Sequence, residues 1–158
     1  MIDQLAEAIR RNTELQMENM VLKNQAQLFS AMIDYFPGGV VLTDDKLQVL
    51  ICNTRLREML EYPPELFAYG YPNLRELFRF NATRGEYGPG DIDTIVNQKL
   101  ELVAKGEAHV FERVRPNGRT IEVRGLPLPG GGFVTSYTDV TESGRVHSKA
   151  SPAVDWAN

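Results

Sequence analysis

A single cysteine, Cys52, and only two histidines, His109 and His147, leave this 158-residue chain little with which to build redox or metal chemistry. One cysteine excludes an intrachain disulfide and a multi-cysteine metal site. Two histidines far apart give neither a paired-His metal spacing nor a Ser/His/Asp set, and there is no glycine-rich phosphate loop. Basic charge is short as well: 17 Lys and Arg against 21 Asp and Glu give a net charge of −4 and a pI near 5.2. Nucleic acid and anionic membranes both demand a basic face, so neither is expected as a main partner. No apolar run approaches the roughly 20 residues that span a bilayer. Met1-Ile2-Asp3-Gln4 leads into a polar segment rather than the apolar core of a signal peptide. A small module without a membrane segment, located in the cytoplasm, is the expectation.

What the chain has instead is pattern. From residue 5 to 33, Leu5, Ala8, Asn12, Leu15, Asn19, Leu22, Ala26, Phe29 and Ile33 recur at alternating intervals of three and four. This is the seam of a heptad helix, with Ala8, Leu15, Leu22 and Phe29 at d and Asn12 and Asn19 at a. A buried Asn at a pairs with its mate across a two-stranded parallel seam and is unsatisfied in other registers, so it selects geometry while lowering stability. Glu18 at g and Lys23 at the following e would pair between chains. The spacing predicts an amphipathic helix over residues 1–34 that forms a parallel homodimer. The other outcome is packing on its own domain through Leu28, Phe29, Met32 and Ile33. At about 1.5 Å per residue the segment would run about 50 Å.

The rest of the chain reads as short elements. Gly39-Val40-Val41-Leu42-Thr43-Asp44 and Leu47 to Cys52 suggest a hairpin. Asn53 then caps a turn carrying Leu56, Met59 and Leu60 that stops at Pro63-Pro64. Asn73 caps a second helix with Leu74, Leu77 and Phe78 inward. Asp91 opens the longest, which spaces Ile92, Ile95, Val96, Leu100 and Val103 on one face and stops at Lys105-Gly106. That face is either pocket wall or plain core. Residues 108–142 hold two apolar runs joined by Pro116-Asn117-Gly118 and a third run after Gly130-Gly131-Gly132, closed by Asp139-Val140-Thr141-Glu142. They predict a three-strand antiparallel meander, Asn-Gly supplying the positive φ angles of a tight hairpin. Alternation puts Ile121, Val123 and Gly125 on one face of the second strand and Phe133, Thr135 and Tyr137 on one face of the third. Such a mix of apolar and hydroxyl groups suits a cavity wall, and equally a sheet between helices and a dimer mate.

In order and spacing, these segments resemble a PAS domain, from the opening hairpin to the Asp139-Val140-Thr141-Glu142 exit. Arg84 to Asp91, Arg115 to Arg119 and Leu126 to Val134 together are similar to a PAS subfamily of bacterial sensor histidine kinases and cyclic-di-GMP signalling proteins. The resemblance implies an α+β fold, a five-stranded antiparallel sheet with short helices on one face, preceded by the coiled-coil helix. It divides the chain into a dimerisation helix at 1–34, a PAS domain at 35–142, and a disordered tail or truncated linker to an effector at 143–158. It implies a cavity beside the longest helix, with Val40, Leu42, Ile51, Phe78, Ile95, Phe111, Val123, Thr135 and Tyr137 as its cavity or core positions. Signal relay falls to Asp139, Thr141 and Glu142: the Asp would accept hydrogen bonds from the backbone or an Arg, and the Thr would cap the next helix.

The chromophore branches of that family fit poorly. Flavin-binding LOV domains carry a cysteine in an Asn-Cys-Arg-Phe-Leu-Gln run on a middle helix, and the photoactive-yellow-protein branch also needs a cysteine; Cys52 instead precedes Asn53 at a strand end. Haem-binding members usually hold iron through a His on the long helix, and residues 91–105 contain none. His109 is expected at a solvated strand edge and His147 in the tail. LOV-type flavin and His-ligated haem are therefore disfavoured, and the cofactor is left unknown. Asp44, Asp45, Glu112, Glu122, Tyr87 and Tyr137 could do acid-base work, but no spacing makes them converge, and a solvated face is expected. No phosphoacceptor His in the dimerisation helix and no ATP-binding boxes occur, so the chain is not itself a kinase. The implied function is the sensory and dimerisation module of a cytoplasmic bacterial sensor histidine kinase, its N-terminal part. It would be homodimeric through the helix and relay a small-ligand, redox or partner signal to a linked or separate effector domain. The alternatives are a ligand-free interaction scaffold and the sensor of a cyclic-di-GMP turnover protein.

Overall fold

The computed structural model describes residues 1–142; the expected tail, with His147, lies outside the described residues. The chain divides into two compact units, Met1–Phe36 and the part from Pro37 onward. The first unit is one helix, α1 (Ile2–Tyr35), of 34 residues. Its Glu7 and Arg10, a turn apart, form an ion pair at 2.6 Å. No residue of α1 is buried, and the seam leucines Leu5, Leu15 and Leu22 are 63%, 52% and 61% exposed.

The second unit is an α+β layer pair. Its strands are β1 (Gly39–Thr43), β2 (Val49–Cys52), β3 (His109–Val114), β4 (Thr120–Pro127) and β5 (Phe133–Asp139). They form one sheet in the order β2-β1-β5-β4-β3, each neighbouring pair antiparallel. Between β2 and β3 run α2 (Thr54–Met59), a single 3-10 turn (Pro64–Phe67), α3 (Leu74–Thr83) and α4 (Ile92–Ala104). Each α-helix of this set starts at a side chain that accepts an orphan backbone N–H. Asn53 takes that of Leu56 at 3.0 Å, Asn73 that of Arg75 at 2.9 Å, and Asp91 that of Thr94 at 3.0 Å. Asn53 also ties α2 to β1, its Oδ1 accepting the Val40 N–H at 2.9 Å and its Nδ2 donating to the Gly38 carbonyl at 3.1 Å.

The core has its largest cluster where α2 meets β1, β2 and β4: Val41, Val49, Cys52, Leu56, Leu60, Ile121 and Val123, with Leu77 of α3. Gly39 permits that closeness, because a Cβ there would lie 2.7 Å from the Leu56 Cδ1 and 2.9 Å from its Cα. The β3–β4 connection is a three-residue loop rather than a two-residue Asn-Gly turn. The Arg115 N–H donates to Arg119 at 2.7 Å and the Gly118 N–H to Arg115 at 2.9 Å. Only Gly118 of the loop takes a left-handed φ, 85°. Pro116, with its fixed φ, starts a type I turn, and the glycine completes it as a bulge.

Candidate functional site

The inner face of the sheet and helices α3 and α4 enclose a cavity with about 50 Å³ open to the centre of a water molecule. That is room for roughly three to five waters. The walls come from Val41 and Thr43 of β1, His109, Phe111 and Arg113 of β3, Val123 of β4, and Phe133, Thr135 and Tyr137 of β5. Leu74, Phe78, Lys99 and Val103 close it from the helices, and Tyr87 from the α3–α4 loop.

Two cations stand in this largely aromatic wall. Lys99 is 3% and Arg113 7% exposed. The Lys99 Nζ lies 4.0 Å from the centroid of the Tyr87 ring and the Arg113 guanidinium carbon 5.2 Å from it, so one ring serves both. The Tyr87 hydroxyl accepts from the Asn81 amide at 3.1 Å. Burial pushes its pKa up to about 12 and raises that of Tyr137 as well, so both phenols stay neutral. His109 stacks on Phe133 at 5.3 Å and 12°, with Phe111 at 5.9 Å. Burial lowers its pKa, which keeps the imidazole neutral at pH 7.

Behind Arg113 sits Glu86, 4% exposed. Its carboxylate takes an ion pair from Arg113 and a fork from Arg115, whose Nε and Nη2 each approach to 2.9 Å. Arg84 stands 3.6 Å away. Burial alone would raise the Glu86 pKa, but the hydrogen bonds and charges of Arg115 and Arg113 hold it below the ordinary carboxylate value. Arg115 also donates to the Met59 carbonyl at 2.6 Å and to Glu61 at 3.3 Å. The loop that follows brings Arg119 to the end of β5, where its Nε meets the Asp139 carboxylate at 2.5 Å. Asp139 further accepts the Thr141 N–H at 3.0 Å and its hydroxyl at 2.5 Å, while the Thr141 Oγ1 accepts the Thr120 N–H at 3.1 Å. Held chiefly by the Arg119 hydrogen bond and by those from Thr141, against some burial, the Asp139 pKa falls to about 2. Cavity, buried ion cluster, hairpin and strand exit are thus joined through consecutive polar contacts.

A family model described as PAS fold matches residues 33–148, well over half of the chain. The chain belongs to the PAS family. The PAS domain of an HTR-like protein from Haloarcula marismortui is similar with a TM-score of 0.50 and 18% identity, covering 78% of this chain and 98% of that one. The PAS domain of Bordetella pertussis BvgS is similar with a TM-score of 0.53 and 18% identity, covering 78% and 91%. At this identity the likeness is one of fold. No curated protein matches in sequence. PAS domains are sensory rather than catalytic.

Within the PAS cavity the structure brings together Phe78, Phe111, Val123, Thr135 and Tyr137 of the nine expected positions. Val40, Leu42 and Ile51 do not line it. Val40 is paired with Ser136 and Leu42 with Val134 and Ile51, all on the opposite face, while Val41 and Thr43, opposite Thr135 and Phe133, face the cavity. Strand faces alternate with period two, so the wrong parity moves every residue across the sheet. Ile95 also lies elsewhere, in a core cluster with Ala82, Val96 and Leu100. Tyr87 and His109, expected on a solvated face and a strand edge, are cavity walls. Asp139 and Thr141 meet at the exit, with Thr141 engaged by Asp139 and Thr120, and Glu142 is exposed. Sequence reading missed Lys99, Arg113 and Glu86. Lys99 carried a usable signal, since it falls on the apolar stripe of α4, four residues from both Ile95 and Val103.

Proposed function

We propose that this PAS domain is the sensory and dimerisation module of a bacterial signal-transduction protein of the sensor histidine kinase type, passing a small-ligand, redox or partner signal to an output domain. Residues 1–34 would serve as the dimerisation helix, 35–142 as the sensor, and 143–158 as part of the connection onward, in a cytoplasmic setting. The observation that carries the reading is the polar continuity from the cavity to the strand exit. Arg113 in the wall shares Glu86 with Arg115, and Arg115 opens the loop whose Arg119 grips Asp139. A ligand that resets Arg113 biases two packings of that cluster, which is the differential interaction a conformational relay needs. Dimerisation rests on α1, where a heptad stripe with Asn12 and Asn19 at a lies unburied in the single chain. No helix among the described residues is long and apolar enough to cross a membrane.

A ligand-free interaction scaffold is the second reading, and the narrowness of the cavity favours it, with Phe78, Phe111 and Phe133 all in the wall. Native mass spectrometry of the freshly purified chain separates the two. A dimer carrying extra mass is expected for the sensor, a dimer at bare mass moves the reading to the scaffold, and a monomer removes the dimerisation claim. For the relay, Asp139→Ala fused to the native effector should blunt the stimulus response. An unchanged response would sink the coupling role.

A further inference from the structure

We infer that the cavity is a binding site for a short-chain alcohol, its hydroxyl bonded to that of Tyr137 on β5 and its alkyl end among Phe78, Phe111 and Phe133. This rests on the sensory reading and names the ligand class for the same site.

The ionic groups of the wall are engaged within the protein. Arg113 is paired with the Glu86 carboxylate and also donates to the Glu86 carbonyl at 3.1 Å. Lys99 lies on the Tyr87 ring and has a further contact besides. The Thr43 hydroxyl reaches the Phe133 carbonyl at 3.4 Å, and His109 stands in its aromatic stack. A charged ligand would leave water for a wall whose charges are already matched, which burial penalises. The site therefore favours a neutral molecule.

Two polar groups remain. Thr135 and Tyr137, two residues apart on one face of β5, both line the cavity, and among the described residues neither hydroxyl has a hydrogen-bond partner. The buried phenols of Tyr62 and Tyr87 differ, each accepting from the Asn81 amide, at 2.9 and 3.1 Å. Burial pushes the Tyr137 pKa up, and no hydrogen bond opposes it. A neutral hydroxyl without a partner costs free energy that a ligand oxygen accepting its proton offsets. Thr135 places a second hydroxyl on the same wall for the ligand's own O–H.

Size and polarity narrow the class. Room for roughly three to five waters suits a molecule of about two to four carbons and one oxygen. Phe78, Phe111, Phe133 and Val103 offer an apolar surface that water or a polyol would leave unused and an alkyl end fills. β5 ends at Asp139, two residues past Tyr137, so an alcohol held there acts on the strand that carries the exit.

The test uses the full chain with isotope-labelled tyrosine rings, titrated with n-propanol, n-propyl chloride, n-propylammonium and propionate and followed by NMR. The alcohol should bind saturably and move the Tyr137 Cζ signal, which reports on a bond at the hydroxyl. Tyr137→Phe should weaken n-propanol about two- to tenfold, the range for one neutral hydrogen bond, and leave n-propyl chloride, which has no hydroxyl, unchanged. If that variant does not fold, the Cζ signal of the unchanged chain decides, moved by the alcohol and not by the chloride. Both charged analogues should bind more weakly than the alcohol. No loss in Tyr137→Phe, an equal loss for alcohol and chloride, a still Cζ signal, tighter binding of either ion, or no saturable binding would each overturn the assignment. A different retained molecule in the native mass spectrum, with no n-propanol binding, would overturn the alcohol and leave the sensory reading standing. A bare mass and no binding would remove both.

Discussion

Gly125 of β4 has no side chain because His109 of the neighbouring strand fills the space. A Cβ there would stand 2.2 Å from the His109 Cε1, 2.4 Å from its Nε2 and 2.5 Å from the Phe133 ring. Gly125→Ala should therefore expel the imidazole from its stack, at a cost of about 1–3 kcal/mol, the usual range for overpacking. The pKa gives an independent readout. Burial holds His109 below its ordinary value, so in the parent the unfolded chain takes the proton first and stability declines as pH falls below about 6.5 toward the folded pKa. In Gly125→Ala the His109 ring signal should titrate closer to the ordinary value, and that decline should flatten. An unmoved titration would mean the ring keeps its place. Individual cavity residues were unevenly legible at this scale. Hydroxyl and aromatic residues alternating on β5 pointed to Thr135 and Tyr137, but the ion-pair partners Arg113 and Glu86 are 27 residues apart and no local rule joins them.

At the scale of elements, Glu86 anchors the α3–α4 loop to β3, and Arg115 extends that anchor to the end of α2 through the Met59 carbonyl. Glu86→Gln leaves the buried Arg113 guanidinium without its counter-charge and Arg115 with Glu61 alone, which should cost about 3–5 kcal/mol in urea unfolding. The acid limb carries the sign. Glu86 has its folded pKa below the ordinary value, so its contribution is complete above that value and disappears as pH falls through the folded pKa. The parent should lose stability on acidification in that window, and Glu86→Gln should lose less. An equally steep acid limb in the variant would assign it to other carboxylates, Asp139 first, whose own contribution fades between about 4 and 2. Helix starts were readable because Asn53, Asn73 and Asp91 declare themselves as caps. The parity of β1 was not. Gly39-Val40-Val41-Leu42 holds no polar residue, and Val40 and Val41 are both buried although they point to opposite faces; a run without alternation does not reveal which face is which. The β3–β4 turn misled for a related reason: Asn-Gly favours a two-residue turn, but the preceding Pro116 fixes the first corner one residue earlier.

For the whole molecule the decisive question is what α1 pairs with. A helix of 34 residues is long enough to hold a dimer only if its apolar stripe is covered, since most helical stability in proteins comes from packing of that stripe. Two Asn at a weaken a seam but specify a parallel, in-register pair. Leu22, at d and 61% exposed in the single chain, then faces its own copy. In Leu22→Cys the two thiols should close a disulfide under mild oxidation, giving a covalent dimer on a non-reducing gel, because d positions of a parallel pair lie within disulfide reach. Cys52 is 1% exposed and leaves the background low. An antiparallel pair with Leu15 and Leu22 near opposite ends of the overlap would bring Leu22 beside another residue and yield no such bond. Replacing Asn12 and Asn19 with Leu should strengthen association while loosening its geometry, so that higher oligomers join the dimer in light scattering. If Leu22→Cys cross-links but the double Leu variant stays a dimer of unchanged stability, the helices meet in parallel without the two asparagines at their seam, and the heptad register must shift.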